Sequence, residues 1–143
     1  MTSLLDVNAL MSLLDANHEH HPAITAWLRQ NNGHWASCPI TQNGYLRIVT
    51  GEKYPNRISV KEAIKKLSRA VSTPGHKFLT DDISLLDPNL VAHARIQGSK
   101  QFTDIYLLAL SVHHGAQFVT FDKRVSRLAV RRATDASVRI VSS

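Results

Sequence analysis

The sequence predicts an α/β domain built on a parallel sheet of about five strands. Short apolar runs rich in small or branched residues alternate with longer segments of helical period, which is the pattern of successive βαβ units. At 143 residues, with 43% hydrophobic side chains, the chain has the usual size of one domain and should bury roughly 68% of its extended surface. Few residues fall outside the alternating units, so a single domain over residues 1–143 is expected.

The first strand is placed at Ser3–Asp6, and a helix follows at Ala9–Ala16. Pro22 suits a first helical turn, where its missing N–H costs nothing, and it opens Pro22–Gln30. Asn31-Asn32-Gly33 then supplies turn chemistry before a strand at Trp35–Cys38 and a helix at Thr41–Val49. In Ser59–Val71, Val60, Ala63, Ile64, Leu67 and Val71 share one face while Lys61, Lys65, Lys66 and Arg69 occupy the other, as in a covering helix with a basic exterior. Thr73-Pro74-Gly75 turns the chain into a strand at Lys77–Thr80. Helices are expected at Pro88–Arg95, at Thr103–His113 after the turn Gln97-Gly98-Ser99, and at Lys123–Arg131. Strands at Gln117–Thr120 and Val138–Val141 complete the sheet.

Seventeen Lys and Arg against eleven Asp and Glu give a formal charge of +6 and a pI near 9.8, a balance that favours a polyanionic partner. Cys38 is the only cysteine, which excludes an intramolecular disulfide and a cysteine-based zinc cluster and suits a reducing cytoplasm. The opening stretch carries Asp6 and Asp15 in place of a basic segment before an apolar core, so neither export nor a membrane span is expected.

Chemistry is concentrated where the acids fall. In an open parallel sheet, ligands collect at the carboxyl ends of the strands. Asp6 ends the first expected strand, and Asp122 lies just past the fourth. Asp104 opens a helix that precedes a strand, so its N-terminus should reach the same edge. Three carboxylates in one crevice need a compensating cation, and a hard divalent ion such as Mg²⁺ or Mn²⁺ fits an all-oxygen set. Each acid also has a plain alternative as a helix cap or first-turn residue.

Asn8 and Thr120 stand two residues from Asp6 and Asp122, placed to orient a carboxylate or to cap and turn. Arg47, Lys123 and Arg124 are the candidate phosphate contacts, Arg124 foremost for its adjacency to the acid edge, with Arg127, Arg131 and Arg132 further along the same expected helix and its tail. His18, His20 and His21 around Glu19 resemble a metal tract. They precede Pro22 in a loop, and His113-His114 sit at a helix end, so both groups are read as structural.

Leu4-Leu5-Asp6-Val7-Asn8, Thr103-Asp104 with Leu107-Leu108-Ala109-Leu110, and Val119-Thr120-Phe121-Asp122-Lys123 together resemble the motifs of PIN-domain proteins, in particular VapC-like toxins of bacterial toxin–antitoxin pairs. The resemblance spans essentially the whole chain. It implies a three-layer α/β/α fold, Mg²⁺- or Mn²⁺-dependent endonuclease activity on RNA, a small antitoxin partner and homodimerisation. It also implies that Asp6, Asp104 and Asp122 are the metal-binding catalytic residues. One departure stands out: Thr41-Gln42-Asn43-Gly44-Tyr45-Leu46-Arg47 places Gly44 where the family usually has a Glu. Asn43 or Gln42 is then the neutral substitute available. The alternative this supports is a PIN-like module that binds RNA or protein with a weakened or inactive metal site. A haloacid-dehalogenase-like phosphotransfer reading lacks a second Asp after Asp6, and a dinucleotide-binding reading lacks its glycine motif. Ile24, Trp27 and Leu28, with Tyr45, Leu46 and Ile48, are candidates either for core packing or for a partner groove.

Overall fold

A computed structural model describes residues 1–142. Its sheet has five strands, β1 (Ser3–Leu5), β2 (Trp35–Ser37), β3 (His76–Phe78), β4 (Gln117–Thr120) and β5 (Val138–Ile140), in the order β3-β2-β1-β4-β5, all parallel. Five α-helices flank it: α1 (Val7–Leu14), α2 (His21–Gln30), α3 (Pro39–Val49), α4 (Val60–Val71) and α5 (Phe102–His113). The result is the three-layer α/β/α arrangement that the motifs imply.

Side-chain alternation along the strands divides the core in two. Leu4 and Phe118 pack with Ile105, Leu107, Leu108 and Leu110 of α5 on one face. Leu5 and Val119, one residue further along, pack on the other with Leu10, Ile24, Trp27, Tyr45, Val49, Ala63 and Leu67, drawn from α1 to α4. Ile24, Trp27 and Tyr45 are therefore core residues, while Leu28, Leu46 and Ile48 are partly buried against the same cluster. On α4, Ala63 and Leu67 go inside, whereas Val60 and Ile64 of the same apolar stripe remain more than half exposed, at 63% and 51%.

Two expected helices are absent. Residues 88–95 form turns that end in a single 3₁₀ turn, His93–Arg95, and residues 123–131 form bends and turns. Local side-chain acceptors explain both. Asp87 Oδ1 takes the Asn89 N–H, Asp122 Oδ1 takes the Arg124 N–H, and Ser126 Oγ takes the Leu128 N–H, each offering the backbone an alternative to helix. The two segments bond to each other instead: Val91 bridges Val130 in antiparallel fashion, Ala92 N–H donates to the Ala129 carbonyl, and Arg131 N–H donates to the Leu90 carbonyl. Arg127, Arg131 and Arg132 consequently lie on no helix. Arg127 pairs with Asp135 at 2.8 Å, and the Arg131 side chain donates to the Pro88 carbonyl.

At the crossing of α1 and α3, Gly44 is buried and a Cβ there would stand 2.7 Å from Val7 Cγ2. A side chain at that position would have to push the Val7 methyls aside. No helix among the described residues is long and apolar enough to cross a membrane.

Candidate active site

β1 is the central strand, with β2 on one side and β4 on the other, so the strand order reverses beside it. A crevice at the carboxyl edge opens at such a point. The β1–β4 ladder pairs Leu5 with Val119, and Asp6 N–H continues it by donating to the Val119 carbonyl at 2.9 Å. Asp6 therefore emerges beside Thr120, a neighbour fixed by sheet register alone.

Asp6 is 7% exposed and both of its oxygens are held. Oδ1 accepts the Ala9 N–H at 2.7 Å, capping α1, and Oδ2 accepts the Thr120 hydroxyl. The Thr120 Oγ1 in turn accepts the Asp122 N–H at 3.0 Å, which ties the acid after β4 to the acid after β1. Burial pushes the Asp6 carboxyl up to about 6 against the hydrogen bonds from Thr120 and Ala9, and the charges of Asp104 and Asp122 push it the same way. That mutual repulsion is the electrostatic mark of three carboxylates gathered in one place.

Asp104 lies in the first turn of α5, two residues inside a helix that starts at Phe102. Its carboxyl is also raised, mainly by burial and next by Asp122, with Arg124 opposing. Asp122 is held low by the Arg124 side chain and backbone N–H. The guanidinium grips it with Nε–Oδ1 at 3.0 Å and Nη2–Oδ2 at 3.2 Å. Since the Arg124 side chain is 91% exposed, the pair is loosely held.

A cleft of about 460 Å³ opens against this edge. Asp104 and Asp122 stand on one wall, Arg95, Lys100 and Arg124 bring positive charge, and Ile105, Val125 and Leu128 give an apolar surface. Of the cations singled out from sequence, Arg124 lines this cleft, whereas Lys123 and Arg47 are exposed outside it. Arg95 and Lys100 had no sequence signal: they sit on the irregular stretch before α5 that was expected to be partly helical. Asn8 and Asn43 are exposed, and the Gln42 amide donates to Ser37 Oγ at the end of β2.

Both histidine groups have partners that spacing does not reveal. His20 stacks on Phe121, with centroids 4.7 Å apart, and its N–H donates to His18 Nδ1, while His21 Nδ1 lies 2.8 Å from the Ser12 carbonyl. His113 and His114 meet Asp82, from the segment after β3.

The profile of the PIN domain family matches residues 3–131. Ribonuclease VapC44 of Mycobacterium tuberculosis is 46% identical over 135 residues, covering 94% of this chain and 95% of the relative. Ribonuclease VapC38 of the same organism is 40% identical over 132 residues, covering 91% and 92%. Among solved structures, VapBC2 from Rickettsia felis, bound to a DNA fragment from its promoter, superposes with a TM-score of 0.61 at 14% identity over 99% of this chain and 100% of that chain. M. tuberculosis VapC20, described as a Sarcin-Ricin loop cleaving toxin, does so with a TM-score of 0.58 at 11% identity over 80% and 85%. The two structural likenesses are likenesses of fold.

Proposed function

The chain belongs to the PIN domain family, and from that premise we propose that it is a metal-dependent endoribonuclease, the toxin of a toxin–antitoxin pair, with Asp6, Asp104 and Asp122 as its metal-binding catalytic residues. The observation that carries this reading is the placement of Asp104 and Asp122 along the cleft with Asp6 buried near them, where the charges of Asp104 and Asp122 add to the burial that raises the Asp6 carboxyl. An all-oxygen, carboxylate-rich donor set fits a hard divalent cation, and Mg²⁺ or Mn²⁺ is the expected ion. When bound, that cation supplies electrophilic stabilisation for the scissile phosphate and a water of lowered pKa.

The protein's own residues prepare the place. The Ala9 N–H and the Thr120 hydroxyl fix both Asp6 oxygens, so this ligand is oriented before any ion arrives. Arg124 neutralises Asp122 and, being exposed, is free to turn to an RNA phosphate once a cation takes its place. Arg95 and Lys100 contact the backbone of RNA lying along the cleft, and a base rests on its apolar wall.

RNA as substrate and a small antitoxin as partner come from the names of the relatives together with the motifs. A homodimer in the cytoplasm completes the reading. Val60 and Ile64, exposed on α4, are apolar surface that a protein contact would cover.

The test uses full-length protein freed of any co-purified partner, incubated with structured RNAs in Mg²⁺ or Mn²⁺. Discrete cleavage that disappears with EDTA, with Asp6→Asn and with Asp104→Asn is expected. No cleavage, together with no Mn²⁺ binding by calorimetry, would leave the second reading, a PIN-like binding module. Gly44 favours that reading, because it leaves no fourth carboxylate at that position.

A further inference from the structure

His113 is the last residue of α5 and His114 is its C-cap. Two adjacent histidines at a helix end are ordinary; the fold makes them less so by bringing Asp82 between them. Asp82 Oδ1 lies 2.9 Å from His114 Nε2, and Oδ2 lies 3.5 Å from His113 Nε2. One ligand atom from each of the three residues falls within 4.8 Å of the others. A tetrahedral ion with bonds near 2.0–2.1 Å holds its ligand atoms about 3.3 Å apart, and the two nitrogen–oxygen separations, one to each Asp82 oxygen, lie within about half an ångström of that value. The imidazole rings stand edge to face at 84°, with centroids 5.1 Å apart, and each has its Nε2 near the Asp82 carboxylate. The Thr80 carbonyl, 3.0 Å from His114 Nε2, is a further oxygen at the same spot.

We propose that Asp82, His113 and His114 form a second cation site, one that takes a transition ion such as Zn²⁺, at the far end of α5 from Asp104. Two neutral imidazoles and one carboxylate make a borderline donor set that suits Zn²⁺, Co²⁺ or Ni²⁺ better than Mg²⁺, which prefers oxygen alone. The two sites therefore select different ions. Nine residues of helix separate His113 from Asp104, about 14 Å along the axis. Entry is open, because the side chains of Asp82, His113 and His114 are 47%, 41% and 19% exposed.

A bound ion would join the end of α5 to the chain leaving β3. From Thr80 to Gln101 that chain has only two 3₁₀ turns and one isolated bridge for regular structure, and its later part, from Ala94 to Gln101, lines the cleft. Clamping its start steadies a wall of the site without touching the reacting groups. Thermal stability should rise with Zn²⁺ concentration, as it does for any ligand that binds the folded state alone.

The experiment uses the full chain carrying Asp6→Asn and Asp104→Asn, which removes the acid edge as a competing site. Zn²⁺ is titrated by calorimetry, and Co²⁺ by its visible absorption, at a pH above the ordinary titration of imidazole. One equivalent is expected, with imidazole-type Co²⁺ bands and a raised melting temperature in Zn²⁺. His113→Ala and Asp82→Asn, both at accessible positions, should each weaken binding at least about tenfold and abolish the Zn²⁺-dependent shift, with unchanged circular dichroism. Absence of Zn²⁺ binding in the parent chain would overturn the proposal. So would binding that survives both substitutions, which would place the ion on other residues, such as His18, His20 and His21. RNA cleavage in Mg²⁺ does not enter this readout, so the second site stands or falls separately from the nuclease.

Discussion

Asp6 serves as helix cap and as oriented carboxylate at once, through different oxygens. Its dual role carries a cost that can be measured. With its carboxyl pushed up to about 6 by burial, against 3.8 in the unfolded chain, the folded protein holds a proton that the unfolded chain has already released. The Asp6 contribution to the stability of the metal-free protein is therefore most favourable below pH 4, falls as pH rises through the interval from 4 to 6, and stays low above it. Asp6→Asn keeps a capping oxygen and removes the charge. In chelator at neutral pH it should gain about 1–3 kcal/mol in denaturant titration and lose the part of the pH dependence in that interval that Asp6 supplies. A less stable variant at pH 7 would show that burial of this charge is fully compensated without metal. From sequence, capping and metal ligation are rival explanations of Asp6; the structure shows the cap, made through Oδ1, while Oδ2 rests on Thr120. Thr120 was singled out as a residue placed to orient a carboxylate, but that the carboxylate is Asp6, and that Asp82 is the partner of two histidines, was not legible: both depend on contacts between residues far apart in the chain, which local spacing does not encode.

Among the elements, α1 and α3 approach closely where Gly44 faces Val7. Gly44→Ala should gain helix propensity yet lose about 1–2 kcal/mol overall, because the added methyl forces Val7 aside. Val7→Ala makes room for it, so the double variant should be more stable than the sum of the single changes predicts, by thermal or urea unfolding. Strict additivity would mean that Val7 already yields freely. All five strands and the five α-helices were legible because hydrophobic period and length agree there, with ends shifted by a residue or two where Asp6 and Ser59 set the caps. The failures at residues 88–95 and 123–131 share one physical cause. Asp87, Asp122 and Ser126 satisfy the backbone locally, and an apolar spacing suited to helix serves instead to bury Val91, Ala129 and Val130 under α5. These two irregular stretches supply much of the cleft, so the cleft was less legible than the acids at its edge.

For the molecule as a whole, the +6 charge gains meaning from the placement of Arg95, Lys100 and Arg124 beside the acid edge. If about three phosphates are contacted, raising monovalent salt fourfold should weaken RNA binding by roughly tenfold or somewhat more. Arg95→Ala combined with Lys100→Ala should raise KM several-fold, lower the salt slope by about 1.4 and leave kcat nearly unchanged; a slope equal to the parent's would put RNA elsewhere on the surface. The sheet order carries another consequence. β1 is made first, but its neighbour on the catalytic side is β4, and Thr120 and Asp122 arrive only with that late strand. A copy still under synthesis has Asp6 with nothing to hold its second oxygen and no third acid to join it. On the proposed assignment the chain cannot attack RNA until it is nearly finished, and the messenger from which it is being read is spared by the late arrival of β4.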